Sequence, residues 1–260
     1  MSVVNGGPTP SLAGRSVLVT GVSGGIGSAL AKVLGREGAF VVGTYRSRAA
    51  EARAVLEAAA PDRHALLEAD ITSGASAREL WDRANAIRPV DTVVLNAAVM
   101  MRTPLQGPVA EWDDGWEASM TVNAVAPAAL MRQAAHDLAE RSGGSIIVIS
   151  SWAAEQGSRL PEASAYAASK AAVRNFAQTL ARDVARRGVR VYTIAPGVVD
   201  TGMGTQGLST EQQSSVAEGL TMGRHVAAAE IAELAAFLAT DRTPSLTGAT
   251  LDLNGASYIR

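Results

Sequence analysis

Short apolar segments alternate with longer segments of helical periodicity along almost the whole chain. Apolar runs of this length, separated by helical segments, are typical of strands buried on both faces of a parallel sheet. One helical segment lies between each consecutive pair of strands, as a doubly wound α/β domain requires. The predicted strands are 16–20, 39–44, 65–70, 91–95, 145–149, 189–194 and 248–253, and the predicted helices are about 29–38, 49–59, 75–87, 111–141, 163–187 and 228–239. We therefore expect one seven-stranded parallel sheet flanked by helices.

A single large domain with a sizeable core fits the length of 260 residues and the hydrophobic content of 47%. Residues 1–13 are rich in Gly, Pro and Ser, so we predict a flexible N-terminal segment before a domain that spans 14–260. The segment from about 202 to 224 is polar and rich in Gly, Ser and Gln. We interpret it as a mobile lid over a substrate site.

The composition argues against several classes of function. The net charge is -2 and aromatic residues make up only 4% of the chain, which disfavours a nucleic-acid partner. Cysteine is absent, which excludes disulfides and thiolate sites, and His64, His136 and His225 share no short spacing, so no metal site is predicted. There is no run of about 18 apolar residues, and residues 1–8 do not resemble a signal peptide. We expect a cytoplasmic protein without a membrane partner.

A glycine-rich turn follows the first predicted strand directly. Residues 21–27 read Gly-Val-Ser-Gly-Gly-Ile-Gly, and Ala29, Leu30, Val33 and Leu34 then recur with helical spacing. Strand, glycine turn and helix together are the context of a dinucleotide site, in which backbone amides approach a pyrophosphate. A plain tight turn is the alternative. A P-loop is disfavoured because no Lys-Ser or Lys-Thr pair follows the last glycine.

The tip of the second predicted strand carries two arginines and no acid. Residues 45–48 read Tyr-Arg-Ser-Arg. An NAD site places a carboxylate here for the ribose 2′-hydroxyl. A guanidinium from Arg46 or Arg48 suits the 2′-phosphate of NADP instead. The alternative is a solvated arginine at a helix start.

The third feature is the pair Tyr166-x-x-x-Lys170 at the start of a predicted helix. This spacing puts the phenol and the ammonium on one helix face, one turn apart. A nearby positive charge favours the phenolate and can adapt a tyrosine to acid–base work. Ser150 and Ser151 end the preceding strand, where ligands of such sheets bind. The alternative is a chance pair on a solvated face.

These motifs, taken in order, resemble the short-chain dehydrogenase/reductase family, and in particular its members that are like 3-oxoacyl-carrier-protein reductases. The resemblance extends from about Leu12 to Gly255 and implies a Rossmann-type fold. The matching residues are Thr20-Gly21-x-x-x-Gly25-x-Gly27, Asp70, Asn96-Ala97, Asn123, Ser151, Tyr166-x-x-x-Lys170 and Pro196-Gly197.

The resemblance implies four catalytic residues. Tyr166 would be the general acid in carbonyl reduction and the base in alcohol oxidation. Lys170 would lower the pKa of Tyr166 together with the positive nicotinamide, and would bond to the nicotinamide ribose. Ser151 would hold the substrate oxygen. Asn123 would position a water that links Lys170 to solvent, although a buried structural hydrogen bond is the alternative role for an asparagine inside a helix.

The resemblance also implies a cofactor site that prefers NADP(H), with NAD(H) as the alternative. Arg46 follows the usual acidic position, which Tyr45 occupies here. The remaining cofactor residues would be Gly21, Ser23, Gly25, Ile26 and Gly27 at the pyrophosphate, Asp70 and Ile71 at the adenine, Asn96 and Ala97 at the adenosine ribose and its loop, Tyr166 and Lys170 at the nicotinamide ribose, and Pro196, Gly197, Val199 and Thr201 at the carboxamide.

The sequence departs from the family pattern at several positions. Ala98 replaces the glycine of the usual Asn-Ala-Gly, and Asn254-Gly255-Ala256 replaces Asp-Gly-Gly. Gly24 stands where many NADP-preferring members carry a basic residue. Ser151 lies 15 residues before Tyr166, a longer spacing than is common, which leaves the choice between Ser150 and Ser151 open and implies a longer loop over the substrate.

We therefore predict an NADP(H)-preferring oxidoreductase that moves a hydride between the nicotinamide and a carbonyl or a secondary alcohol. An NAD-linked alcohol dehydrogenase of the same family is one alternative. A non-catalytic sensor that binds NADP is another. The family resemblance further implies a homotetramer or homodimer built on the helices that contain Asn123 and Tyr166, with the C-terminal strand at a second interface.

Overall fold

Seven parallel strands form one sheet in the computed structural model, which describes residues 11–201, 203 and 209–259. The strand order across the sheet is β3-β2-β1-β4-β5-β6-β7, and every neighbouring pair is parallel. The strands are β1 (Ser16–Val19), β2 (Phe40–Tyr45), β3 (His64–Glu68), β4 (Thr92–Leu95), β5 (Gly144–Ile149), β6 (Val189–Pro196) and β7 (Thr250–Leu253). The predicted fold class, a Rossmann-type doubly wound sheet, is confirmed.

Helices cover both faces of the sheet. They are α1 (Gly25–Arg36), α2 (Ala49–Ala59), α3 (Gly74–Ile87), α4 (Val109–Met120), α5 (Ala126–Arg141), α6 (Ala153–Gln156), α7 (Ser164–Val184), α8 (Thr210–Glu218) and α9 (Ala228–Ala239). Three short 3-10 turns lie at Pro161–Ala163, Ala185–Arg187 and Pro244–Leu246, and a π-helical turn at Thr121–Val125 joins α4 to α5.

Two apolar cores lie on opposite faces of the sheet because side chains alternate along each strand. In β1, Val17 and Val19 pack into the core that contains α1, α2 and α9. Leu18 points the other way, into the core that contains α3, α5 and α7. Residues of β1 and β4 are buried throughout. The pattern explains why the strands appear in the sequence as continuous apolar runs rather than as alternating ones.

The crevice of this sheet lies between the ends of β1 and β4. The chain passes from β1 outward to β2 and β3, then returns to β4 on the other side of β1. Loops after β1 and β4 therefore diverge at the carboxyl edge, which is where open α/β sheets bind ligands. All the motifs singled out above follow strands at this edge.

The segment that precedes β1 is more firmly held than the composition indicates. Leu12 is fully buried, and its backbone N–H donates to the carbonyl oxygen of Glu37 at 2.9 Å. The Ser11 hydroxyl donates to the Glu37 carboxylate at 2.7 Å. Ser11 and Leu12, at the end of the predicted flexible segment 1–13, are therefore fixed to the C-terminus of α1, and residues 1–10 lie outside the described part.

The predicted lid, 202–224, contains a regular helix, α8, that its polar sequence did not predict. Ser209 caps α8, with its hydroxyl accepting from the Gln212 N–H at 3.2 Å and the Gln212 side chain accepting from the Ser209 N–H at 2.8 Å. Beyond α8, the Thr221 hydroxyl donates to the carbonyl oxygen of Ala256 at 3.3 Å. This part of the chain is anchored to the C-terminal segment. Residues 202 and 204–208 lie outside the described part.

The anchoring segment contains an alanine in the left-handed region, since Ala256 has φ 60°. An L-alanine pays a steric cost there that glycine avoids. We expect Ala256→Gly to raise the free energy of unfolding by about 0.5–1 kcal/mol, because the relief of strain exceeds the added freedom of the unfolded chain. Urea unfolding measures the change.

The matched control is Ala54→Gly, at an exposed position inside α2. This change should lower the free energy of unfolding by about 1 kcal/mol, because a helical alanine has no strain to relieve. Destabilisation of similar size in both variants would contradict the strain at Ala256.

Candidate active site

The glycine turn after β1 is fastened to both neighbouring strands. The Gly21 N–H donates to the hydroxyl of Thr44 on β2 at 3.0 Å. On the other side, the Asn96 side-chain amide donates to the carbonyl oxygens of Thr20 and Gly21 at 2.9 and 3.0 Å. The Thr20 hydroxyl accepts from the backbone N–H groups of Asn96 and Ala97 at 2.9 and 3.0 Å. These hydrogen bonds fix the position of the loop after β1 relative to the loop after β4.

The start of α1 lies directly against this turn. A Cβ atom at Gly27 would overlap the carbonyl oxygen of Gly21 and would lie 2.9 Å from Nδ2 of Asn96. Only glycine fits this contact. No described side chain caps the N-terminus of α1, and no acid lies in its first turn, so its free amides are available to an anion.

The loop after β6 closes the opposite side of the crevice. A Cβ atom at Gly25 would lie 3.4 Å from Cβ of Thr201, so the two loops approach within van der Waals contact. The Gly197 N–H donates to the carbonyl oxygen of Leu253 on β7 at 3.0 Å, and the Trp152 N–H donates to that of Pro196 at 2.9 Å. The structure therefore brings the glycine turn, the Pro196-Gly197 segment and the loop after β5 together at one edge.

The residues at the tips of β2 and β3 that were predicted to bind the cofactor make fewer contacts with one another than those of the glycine turn. The Tyr45 hydroxyl donates to the carboxylate of Glu68 at 3.4 Å. Arg46 and Asp70 are exposed, and neither forms a hydrogen bond or an ion pair within the described residues. Asp70 also lies two residues beyond β3, whereas it was predicted to end that strand. Of the two arginines, it is Arg48 whose guanidinium lies over the glycine turn.

The loop after β5 and the start of α7 bring a serine and a tyrosine together. The Ser151 hydroxyl accepts from the Ala153 N–H at 3.2 Å and lies beside the Tyr166 phenol, whose pKa it lowers. The Ser150 hydroxyl is turned away, because it donates to the carbonyl oxygen of Lys170 at 3.0 Å. Both serines are buried. Between the two candidates left open by the sequence, the geometry favours Ser151 as the one that shares a substrate oxygen with Tyr166.

Burial dominates the electrostatics of Tyr166. Withdrawal from water raises the pKa of the phenol above its ordinary value, and the neighbouring Ser151 hydroxyl opposes this effect only in part. The family resemblance predicts that Lys170, together with the positive nicotinamide, lowers this pKa. In the structure, Nζ of Lys170 lies 5.8 Å from the ring centroid and donates to the carbonyl oxygen of Ile149 at 2.8 Å. The protein by itself therefore keeps Tyr166 protonated at neutral pH.

Burial also lowers the pKa of Lys170, from 10.5 to about 8. Between these two values the unfolded chain binds more protons than the folded protein, so the free energy of unfolding rises with pH. We expect the difference in unfolding free energy between wild type and Lys170→Met to shift by about 3 kcal/mol in favour of wild type across this range. Ionisation of Tyr166 above pH 10 changes the unfolding free energy of both proteins alike, so it cancels in the difference between them.

Urea unfolding of both proteins at pH 8 and pH 10.5 measures this shift. A difference that stays constant over the range would show that Lys170 titrates in the folded protein as it does in the unfolded chain.

Asn123 lies in the π-helical turn and is buried. Its side-chain oxygen accepts from the Val99 N–H at 2.8 Å, and its amide donates to the Val99 carbonyl oxygen at 2.8 Å and to the Ser169 hydroxyl at 3.0 Å. The Ser169 hydroxyl donates in turn to the carbonyl oxygen of Tyr166 at 2.8 Å. Asn123 therefore links the loop after β4 to the turn of α7 that carries Tyr166. Extra residues in π turns often mark functional sites.

Several contributors were not found by sequence reasoning. Thr44 and Ser169 hold the glycine turn and α7 in place, but a single hydroxyl residue in a strand or helix has no recognisable pattern. Ile71, Ala97, Asn123 and Lys170 line one small cavity below the site. Ser23, Ile26 and Val199 lie on the turn and loop as predicted, with Val199 buried and the other two partly buried.

Among the described residues, no three His, Asp or Glu side chains are grouped so that they could hold a metal ion. Within the same residues, none of the helices combines the length and the apolar character needed to cross a membrane.

Comparison with known proteins gives a consistent result. A family model described as enoyl-(acyl carrier protein) reductase matches residues 21–255. The chain is 34% identical over 245 residues to nodulation protein G of Rhizobium sp. (strain N33), a match that covers 94% of this chain and 97% of that protein. It is also 34% identical over 252 residues to the 3-oxoacyl-[acyl-carrier-protein] reductase FabG of Escherichia coli (strain K12), with 95% and 98% covered.

A solved structure is similar over the same extent. The crystal structure of a 3-oxoacyl (acyl-carrier-protein) reductase from Agrobacterium tumefaciens C58 with NADP bound superposes with a TM-score of 0.85. The two sequences are 30% identical, and the match covers 94% of each chain.

Proposed function

Because the chain belongs to the short-chain dehydrogenase/reductase family of oxidoreductases, we propose that it transfers a hydride between NADP(H) and a carbonyl or secondary alcohol. The observation that carries this proposal is that the Ser151 and Tyr166 hydroxyls lie side by side at the carboxyl edge of β5, where Ser151 lowers the pKa of the phenol. Two hydroxyls that converge there can both reach one substrate oxygen. The adjoining glycine turn, with its uncapped helix N-terminus, supplies the fit for a dinucleotide.

Tyr166 acts as the general acid in this proposal. Its raised pKa keeps the phenol protonated, so it can give its proton to a carbonyl oxygen that gains negative charge. The Ser151 hydroxyl orients that oxygen by donating a hydrogen bond. NADPH supplies the hydride when it is bound.

Lys170 supplies positive charge near the phenolate that remains after proton transfer. With a pKa of about 8, the ammonium is largely protonated at neutral pH. Its Nζ lies 5.8 Å from the ring centroid, so its charge favours the phenolate, although burial of the phenol outweighs this effect in the protein alone. The Ile149 carbonyl oxygen and the Asn123–Ser169 contacts hold this part of α7 in place. Asn123 thus has a positioning role, and its proposed link to a water remains a prediction.

A preference for NADP over NAD is supported by charge at the tip of β2. Tyr45 occupies the position where an NAD site needs a carboxylate, and its hydroxyl is bonded to Glu68. Two arginines, Arg46 and Arg48, follow it with exposed side chains. A 2′-phosphate would be attracted to this pair, whereas a 2′-hydroxyl would gain little. NADP is also the cofactor named in the description of the similar crystal structure.

The substrate class that we propose is a 3-oxoacyl thioester, because the name of the Escherichia coli relative states this activity. The test is an assay of the purified protein with NADPH or NADH and three substrates: a 3-oxoacyl thioester, a 2-enoyl thioester and a simple ketone. Loss of reduced nicotinamide absorbance is the readout. We expect turnover with NADPH and the 3-oxoacyl thioester, with much less on the other two.

Each alternative has its own signature in this assay. Preferred reduction of the 2-enoyl thioester would replace the proposed reaction with the one that the matching family model describes. Preferred use of NADH would support an NAD-linked dehydrogenase. Tight NADPH binding without oxidation by any substrate would favour the sensor.

We also propose a homotetramer or homodimer. Val109 on α4 and Val125 in the π-helical turn expose 74% and 54% of their surfaces, and Phe237 on α9 exposes 39%. Exposed apolar side chains on helices are the kind of surface that a second copy covers. Light scattering of the purified protein measures the mass. A monomer at micromolar concentration would contradict the proposal.

A further inference from the structure

A guanidinium occupies the space that a side chain at position 24 would fill. Gly24 is the residue before α1, with extended backbone angles. A Cβ atom built on it would lie 3.5 Å from both Nη1 and Nη2 of Arg48 and 3.9 Å from Cζ. These are ordinary contact distances, so the planar end of Arg48 packs directly on the glycine turn. A longer side chain at position 24 would have to displace it.

The framework under this contact is rigid. The turn after β1 is bonded to β2 twice, through the Gly21 N–H to the Thr44 hydroxyl at 3.0 Å and the Val22 N–H to the Thr44 carbonyl oxygen at 2.8 Å. Arg48 follows β2 by three residues and immediately precedes α2. Its side chain therefore spans a gap whose two sides are fixed relative to each other.

The charges around this contact lack compensation. The N-terminus of α1 carries a partial positive charge, which opposes a second cation nearby. The first turn of α1 contains no acid. Within the described part of the chain, Arg48 forms no ion pair, and its exposed side chain is free to meet a ligand. Two positive groups that lie next to each other, the Arg48 guanidinium and the N-terminus of α1, are suited to an anion.

We propose that Arg48 is the main residue that binds the 2′-phosphate of NADP(H), from the side of Gly24. Arg46 has a smaller role in this binding. This inference rests on the proposed function. The ribose of a dinucleotide lies at the tip of β2, beside the glycine turn. Arg48 reaches that corner, whereas Arg46 is exposed and forms no hydrogen bond or ion pair with described residues. A guanidinium can bond two phosphate oxygens at once.

The first experiment compares the dissociation constants of NADPH and NADH for three variants by nicotinamide fluorescence. We expect Arg48→Ala to weaken NADPH binding by about 10–100-fold, the usual effect of losing a charged hydrogen-bonded contact, and NADH binding very little. Arg46→Ala should have a smaller effect. Arg53→Ala, an exposed arginine inside α2, is the matched control and should change neither constant.

The second experiment uses the position of Gly24. If Arg48 fills that space, Gly24→Arg should disturb NADPH binding in the wild-type background but restore it in the Arg48→Ala background. If Arg48 is merely solvated, Gly24→Arg should have the same effect in both backgrounds. Thermal unfolding of each variant shows that the fold is retained.

The outcomes separate this inference from the proposed function. A wild-type protein that does not prefer NADPH would overturn both. A wild-type protein that prefers NADPH, and keeps that preference after Arg48→Ala while losing it after Arg46→Ala, would overturn only the role of Arg48. If Arg48→Ala loses the preference for NADPH but still turns over with NADH, the role of Arg48 is supported.

Discussion

Tyr166→Phe is expected to lower turnover by about 10²–10⁴-fold, the usual contribution of a general acid. The change removes the hydroxyl that lies beside Ser151 and leaves the aromatic ring near Lys170 in place. The affinity for NADPH should stay close to that of wild type, because only the proton-transfer group is lost. Steady-state kinetics with the preferred substrate and a fluorescence titration with NADPH measure the two effects separately.

The control for this variant is Tyr192→Phe. Tyr192 is a buried tyrosine on β6 that packs into the core containing α1, α2 and α9, so the same atom is removed away from the reacting groups. Its turnover should remain near wild type. Near-normal turnover in Tyr166→Phe would contradict the assignment of Tyr166, and a parallel loss of NADPH affinity would show that the ring position had changed.

Gly27→Ala is expected to abolish cofactor binding. The added methyl group would overlap the carbonyl oxygen of Gly21 and would lie 2.9 Å from the Asn96 side-chain amide. Since backbone atoms cannot move aside cheaply, either α1 shifts away from the turn or the Asn96 hydrogen bonds break. Both results separate the helix N-terminus from the pyrophosphate. We expect the dissociation constant of NADPH to rise by at least about 100-fold, which corresponds to roughly 3 kcal/mol.

Gly24→Ala serves as the control in the same turn. The Cβ atom there meets only the mobile end of Arg48, at 3.5 Å, so the backbone of the turn keeps its place. NADPH binding should fall far less than in Gly27→Ala, and the circular dichroism of both variants should report the same fold. Equal losses in the two variants would show that any side chain in the turn is harmful, whatever its contacts.

Much of the fold could be predicted from local pattern. The second predicted helix, 49–59, has the same limits in the structure, and the predicted last helix, 228–239, agrees as well. Helical periodicity is a property of neighbouring residues, so it can be read without knowledge of the fold. The predicted helix 111–141 is continuous, yet a π-helical turn at Thr121–Val125 interrupts its regular bonding. One extra residue in a turn leaves no signal in hydrophobic spacing.

The departures from the family pattern have different physical consequences. Ala98 replaces a glycine without strain, since it is absent from the four described residues other than glycine that have positive φ, namely Asp62, Ser142, Asp241 and Ala256. Ala256 replaces a glycine in the left-handed region, where a methyl group is unfavourable. The sequence shows both as the same kind of substitution. The backbone angle makes one neutral and the other costly.

The order of strands and helices along the chain, the glycine turn between β1 and α1, and the Tyr166-Lys170 pair could all be predicted from the sequence, because each depends on residues close together in the chain. The folded structure was needed to show that Ser151, and not Ser150, lies beside Tyr166, and that Arg48 lies on the glycine turn. It also decided the direction of the pKa shift of Tyr166. These properties depend on distances and burial between segments that are far apart in the chain, and spacing along a sequence does not encode them.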